Sequence, residues 1–113
     1  MTTVTNGGRG NIVIVAYRPK PGKEAELLGL TREHVPYLQS EGLATARIPI
    51  VAKAADGTII EVFEWAAGGV EHAHTHPGVG KMWAKYSAIC DCVPLNTLEE
   101  SKAMFAGFEP LSV

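Results

Sequence analysis

The chain has 113 residues, of which 46% are hydrophobic and 19% are charged, so it can bury one core and is not intrinsically disordered as a whole. Ten basic against twelve acidic residues give a formal net charge of −2, which leaves no basic excess for a nucleic-acid phosphate backbone. The longest apolar run, Ile12 to Tyr17, is far too short to cross a bilayer. We therefore expect one domain with no nucleic-acid partner and no membrane partner.

The first forty residues predict a leader, a strand and a helix. Residues 1–10 are rich in Gly and Thr and predict a flexible leader. Residues 11–17 are β-branched and apolar without alternation, which predicts a strand that is buried on both faces. Apolar residues recur every three or four positions over 23–41, which predicts a helix that Pro36 kinks or ends early.

A hairpin follows this helix. Residues 43–52 and 58–65 read as strands, and the Asp56-Gly57 pair between them is a turn signal. Pro49 cannot donate a hydrogen bond to a ladder, so the earlier of these two strands is expected at an edge of the sheet.

The second half predicts another helix, another strand and a helical tail. Residues 70–75 form a short helical turn, and Pro77 fits the first turn of a helix that runs to residue 89. Residues 90–95 form the fourth strand. A capping-box pattern over 97–100 then predicts a short helix over 98–106.

The resulting order, β-α-β-β-α-β, is that of an α+β, ferredoxin-like domain: a four-stranded antiparallel sheet with helices on one face. We assign this domain to residues 11–97. Residues 98–113 are predicted to form a C-terminal helix and tail. We expect them to pack on the domain or on a dimer partner, because they carry apolar side chains that are unfavourable in solvent: Leu98, Met104, Phe105, Phe108 and Leu111. The uncovered sheet face needs a partner, and a second copy is the simplest one.

Several segments resemble the dimeric α/β-barrel superfamily and, within it, the antibiotic biosynthesis monooxygenase-like (ABM) group. They are the strand-to-helix turn of residues 17–27, the strand Val62–Trp65, the helix start Ala73–Pro77 and the closing strand Cys92–Leu95. The resemblance covers roughly residues 11–97. It implies a homodimeric α/β barrel with no cofactor and, as its activity, a cofactor-independent monooxygenase acting on a small phenolic or quinol-type substrate. The alternative is a non-catalytic dimer of the same fold that binds a small ligand or is associated with stress.

The resemblance also bears on haem. Haem-degrading members carry the iron on a histidine of the second helix. The predicted helix has no histidine after Trp83, so haem degradation is not expected here.

Two histidines are candidates for the catalytic base. His34 lies in the apolar stripe of the first helix, where an imidazole in an apolar cleft could deprotonate a phenol; the alternative is a core histidine with one hydrogen bond. His74 matches the helix-start histidine of many ABM-like sequences, which implies a polar group at a pocket mouth; the alternative is a capping or anchoring role. We expect His34 and His74 to border one cavity.

Large side chains could form the walls of a flat substrate pocket. An aromatic stripe at helical spacing is also typical of a plain core, so both interpretations stand. The predicted substrate-binding residues are Tyr37, Trp65, Met82, Trp83 and Tyr86.

Metal binding is a weaker hypothesis. On one helix, His72 and His76 would be i,i+4 neighbours and could hold an ion between them, but a metal site normally needs three or four ligands. Solvated surface histidines are the alternative. No phosphate, flavin or nicotinamide fingerprint is present, so no cofactor is expected.

The two cysteines, Cys90 and Cys92, are too few and too close for a disulfide framework. Their spacing is not that of the C-x-x-C redox motif. We therefore expect inert free thiols and a cytoplasmic location.

Overall fold

The computed structural model describes residues 10–112, so the predicted leader lies, apart from Gly10, outside the described residues. The fold is α+β, with an antiparallel five-stranded sheet and three α-helices. The strands are β1 (Asn11–Pro19), β2 (Ile50–Lys53), β3 (Ile59–Trp65), β4 (Cys90–Val93) and β5 (Glu109–Leu111). The helices are α1 (Glu24–Ser40), α2 (Gly69–His74) and α3 (Pro77–Ile89). None of the helices in residues 10–112 is long and apolar enough to cross a membrane.

The strands lie in the order β4-β1-β3-β2-β5, so β1 and β3 are in the interior of the sheet. Tyr17 pairs with Ile59, and Val15 pairs with Glu61. Since side chains alternate along a strand, these four residues share one face of the sheet. The helices pack on that face, and the main core lies between them and the sheet.

The first helix runs through Pro36, contrary to the expectation of an early end. Val35 and Leu38 are buried on either side of Pro36, so packing on the sheet outweighs the one lost backbone hydrogen bond. The helix stops at Ser40, and Gly42 then takes a positive φ of 73° that other residues rarely adopt.

The sheet has five strands, where four were predicted. Leu111 of β5 pairs with Val51 of β2, so β2 is an interior strand and the prediction of an edge is wrong. Pro49 precedes the first residue of β2, Ile50, so its missing N–H is not needed for the ladder.

The predicted helix over 98–106 is not present. Two short 3-10 turns, Leu95–Thr97 and Glu99–Lys102, take its place. Leu98 between them is extended and 1% exposed, because its side chain packs against Ala16 and other residues of the sheet face opposite the helices. Burying this leucine outweighs the local helix signal.

The tail thus covers part of the second sheet face but not all of it. Ala16, Ala52 and Ile60 are buried beneath it, whereas Ile12 and Ile14 remain 55% and 52% exposed. Leu98 is buried on the domain, whereas Met104 and Phe105 are 91% and 88% exposed, so for these two side chains packing on a dimer partner stays a prediction. Within residues 10–112, one half of this sheet face has no cover.

Candidate functional site

A cavity of about 470 Å³ lies between the sheet and α3. That size is within the usual range of small-molecule pockets. Strand β4 pairs with residues 16–19 of β1. The first half of β1 therefore has no paired strand at its β4 edge within residues 10–112, and it borders the cavity. The wall is mainly apolar and aromatic, and it is formed by Val13, Val15, Tyr17, His34, Phe63, Trp65, Trp83, Tyr86, Ser87, Cys90, Asp91 and Cys92.

The aromatic rings of the wall pack closely on one another. The rings of Tyr17 and Tyr86 stack with centroids 4.6 Å apart. The imidazole of His34 meets Phe63 and Tyr86 edge-on, at centroid distances of 5.6 and 5.2 Å. His34 is therefore fixed in orientation on two sides by aromatic rings.

Behind His34 lies a carboxyl group that is fully buried. Glu61 is on the helix-facing side of β3, between Ile59 and Phe63. Its Oε1 lies 2.9 Å from Nδ1 of His34 and accepts a hydrogen bond of 2.8 Å from the Tyr17 hydroxyl. The β1–β3 register brings Tyr17 to this point, and the buried stripe of α1 brings His34.

This arrangement favours one tautomer of His34. Oε1 of Glu61 accepts a hydrogen bond from the Tyr17 hydroxyl, so this oxygen acts as an acceptor. The proton of its contact with His34 therefore lies on Nδ1, which donates to the same oxygen. The lone pair is then on Nε2, which is buried and has no hydrogen-bond partner in the described chain. Oε2 of Glu61 is also buried without a partner. An unpaired buried polar atom is costly, and His34 lines the cavity, so a polar ligand or water that reaches Nε2 would supply its missing partner.

The two tyrosines of the site stay protonated at neutral pH. Burial, together with the neighbouring Glu61 charge, raises the pKa of Tyr17 well above its usual value. Burial raises the pKa of Tyr86 in the same way. The hydroxyl of Tyr86 donates to Oγ1 of Thr31 at 3.2 Å. Both phenols therefore act as hydrogen-bond donors.

The cysteines on the wall are free thiols. Burial raises the pKa of Cys90 to about 11, and its Sγ donates to the carbonyl of Tyr86. Burial also raises the pKa of Cys92. Since the thiolate is the nucleophile, neither cysteine is activated for covalent chemistry at neutral pH.

The structure brings together some of the predicted site residues. His34, Trp65, Trp83 and Tyr86 line the cavity. Tyr37 instead meets the His76 ring edge-on, and Met82 packs against the core cluster around Tyr17. These two side chains are not part of the wall.

The expectation that His34 and His74 border one cavity is wrong. His74 is exposed, and its Nδ1 lies 2.7 Å from the carbonyl of Val70, one turn earlier in α2. Its ring packs edge-on against Trp83. His74 therefore lies behind Trp83, and no residue of α2 lines the cavity.

His72 and His76 are not neighbours on one helix. His72 is exposed on α2, whereas His76 is the extended N-cap residue of α3. Nδ1 of His76 accepts from the backbone N–H groups of Gly78 and Val79, and Nε2 lies 2.8 Å from Oε1 of Glu41. Within residues 10–112, no group of three or more His, Cys, Asp or Glu residues could hold a metal ion.

The capping role of His76 predicts a measurable loss of stability. We expect His76→Ala to lower the free energy of unfolding by about 1 kcal/mol, since two N–H groups at the start of α3 lose their acceptor. Urea unfolding measures this. His76→Asn, whose side chain also caps helices, should retain most of the stability, and His72→Ala is the control. A loss equal in the two alanine variants would contradict the role.

Sequence reasoning missed Glu61, the residue that organises the site. The neighbouring acidic residue of the strand, Glu64, lies on the opposite face, where its Oε1 accepts a hydrogen bond of 2.9 Å from Nε of Arg47. Hydrogen bonds from Arg47 and Thr45 lower the pKa of Glu64. The available signal was strand alternation, which places Glu61 on the same face as Phe63 and Trp65, where only a hydrogen-bonded carboxyl can be buried.

Comparisons of the chain with protein-family models, curated proteins and solved structures found no match. The resemblance to the ABM group therefore stays a prediction.

Proposed function

We propose that this protein is an ABM-like enzyme that removes a proton from a small phenolic or quinol-type molecule, as a cofactor-independent monooxygenase. The observation that carries the proposal is His34: Nδ1 is engaged by buried Glu61, Nε2 has no partner, and the residue lines an aromatic cavity. A histidine that is oriented by a carboxylate and free at its other nitrogen has the arrangement of a general base.

The proposed chemistry needs no metal and no organic cofactor. Nε2 of His34 takes a proton from an activated methylene or hydroxyl group, and the imidazolium that forms is stabilised by Glu61. The electron-rich substrate anion passes an electron to dioxygen, and the two radicals combine to form the new C–O bond. For a methylene substrate, the resulting peroxide takes back the proton from His34. Loss of the second methylene hydrogen with cleavage of the O–O bond then leaves one oxygen atom as the carbonyl and releases the other as water. The aromatic walls keep bulk water from the anion.

Oxygen uptake tests this function. Wild-type protein, with a chelator present, is offered a panel of hydroquinones and anthrone-like phenols, and consumption is followed with an oxygen electrode. We expect His34→Ala to lower the rate by about 10²- to 10⁴-fold, since that is the usual contribution of a general base. His74→Ala, which changes an exposed histidine outside the cavity, is the matched control.

Two outcomes would count against the enzyme. One is no uptake by wild-type protein across the panel, and the other is equal rates for the wild type and His34→Ala. If panel members bind under either outcome, the non-catalytic, ligand-binding dimer becomes the better account.

The proposal includes a ferredoxin-like fold and a homodimer. The order β4-β1-β3-β2 supports this fold, with β5 as an addition at the β2 edge. Exposed Ile12, Ile14 and Ile50 on the uncovered half of the sheet support a second copy as the cover. The free thiols of Cys90 and Cys92 support a reducing compartment, the cytoplasm.

The dimer predicts a molar mass in light scattering of about twice 12.1 kDa at micromolar concentration. An obligate interface should bury on the order of 2,000 Å² in total. Ile14→Lys puts a charge into the proposed interface and should give a monomer. Ala84→Lys, the same charge change at an exposed position of α3, should not. A wild-type monomer would overturn this part of the proposal.

A further inference from the structure

The cavity wall carries no positive side chain. Among residues 10–112, no lysine or arginine lines it, and its one acidic residue is Asp91. A second carboxyl group, that of Glu61, lies directly behind His34 at 2.9 Å. Among residues 10–112, the acidic side chains in and directly behind this wall thus have no lysine or arginine beside them in the wall.

Two cations lie close to the cavity. Nζ of Lys20, outside the wall itself, donates to the backbone carbonyl of the wall residue Ser87 at 3.3 Å. Nη2 of Arg18 contacts Oδ2 of Asp56 and Oγ1 of Thr97. Neither side chain is part of the wall itself.

We propose, on the basis of the function above, that the cavity accepts an uncharged aromatic substrate and rejects one that carries a carboxylate. The positive charge that the reaction needs is formed only when His34 accepts the proton, at which point the imidazolium lies between Glu61 and the substrate anion. A carboxylate on the incoming molecule loses its hydration and meets no lysine or arginine in the wall formed by the described residues, a penalty that aromatic contacts do not repay.

Two probes that differ only in the charged group test this. They are 2-naphthol and 6-hydroxy-2-naphthoate, with titration calorimetry at pH 7.5 as the measurement. Both tryptophans of the chain, Trp65 and Trp83, line the cavity, so their fluorescence reports whether the probe occupies this site. We expect 2-naphthol to bind with a Kd at least about tenfold lower than that of the carboxylate.

A gain of binding makes the test sharper. Ser87 is an exposed residue of α3 at the cavity wall, where a long side chain is compatible with the helix. Ser87→Lys supplies the missing cation and should reduce the preference for 2-naphthol by about tenfold. Ser87→Gln, of similar length and no charge, should keep the wild-type preference.

The outcomes separate this inference from the proposed function. Equal binding of both probes would overturn the inference, and so would the same preference in Ser87→Lys and Ser87→Gln. The proposed function would still be tested separately by the oxygen-uptake experiment. If neither probe changes the tryptophan fluorescence, the cavity does not bind such aromatics and the inference is overturned. Oxygen uptake that depends on His34 would then still uphold the base.

Discussion

Glu61→Gln is expected to lower the oxygen-uptake rate by about 10²- to 10⁴-fold, nearly as much as removal of His34. The carboxylate holds His34 with Nδ1 protonated and stabilises the imidazolium. An amide retains the shape but has no charge, and its NH₂ group can donate to Nδ1. That donation favours the tautomer with the proton on Nε2, which leaves the base without its lone pair.

The effect should be confined to the chemical step. Because Glu61 is not part of the cavity wall, KM should change little while kcat falls. A role limited to packing would instead lower stability and leave kcat of the folded fraction unchanged. Circular dichroism melting on the same samples distinguishes these cases.

Glu64→Gln is the matched control for this experiment. It makes the same substitution on the same strand, but Glu64 pairs with Arg47 away from the cavity. Its kcat should equal that of the wild type. Equal rates in Glu61→Gln and the wild type would remove Glu61 from the mechanism, and a shared loss in both glutamine variants would indicate a general defect of β3.

The sequence predicted His34 because the evidence for it is local. Its spacing from Leu30 and Leu38 defines one face of a helix, and burial of that face follows from periodicity alone. Tyr86 is a similar case on α3, where it is buried and Trp83 is half-buried, and strand alternation gives the buried position of Trp65 in β3.

The partner of His34 could not be found in this way. Glu61 is 27 positions away, and it reaches His34 because β3 pairs with β1 in one register and α1 crosses above. Strand alternation predicts the face on which Glu61 lies, but the residue that it meets there depends on the pairing register, which no local pattern fixes. The error at His74 has the same origin: its place depends on where the short helix α2 ends against Trp83.

The tail shows how packing can outweigh a local signal. The capping-box pattern over 97–100 is typical of a helix start. A helix over 98–106 would form hydrogen bonds locally, but two 3-10 turns separated by an extended Leu98 allow this side chain to reach Ala16 and Ile60. The chain then continues to β5, which adds a ladder to the β2 edge.

The same packing predicts a large loss of stability from Leu98→Ala. Leu98 is 1% exposed and is the main cover of the small side chains Ala16, Ala52 and Ala54. Truncating a buried leucine costs about 2–5 kcal/mol, because the transfer energy is lost and a cavity remains. For a domain of this size, that lowers Tm by about 8 °C or more.

Phe105→Ala is the control, since it removes a larger apolar side chain from the same tail at a position that is 88% exposed. Differential scanning calorimetry at low protein concentration should show its Tm close to that of the wild type. Equal Tm values for Leu98→Ala and the wild type would mean that the tail does not hold the second sheet face. A large drop for Phe105→Ala would mean instead that Phe105 is buried in solution, against a second copy, and the drop should then disappear in the Ile14→Lys monomer.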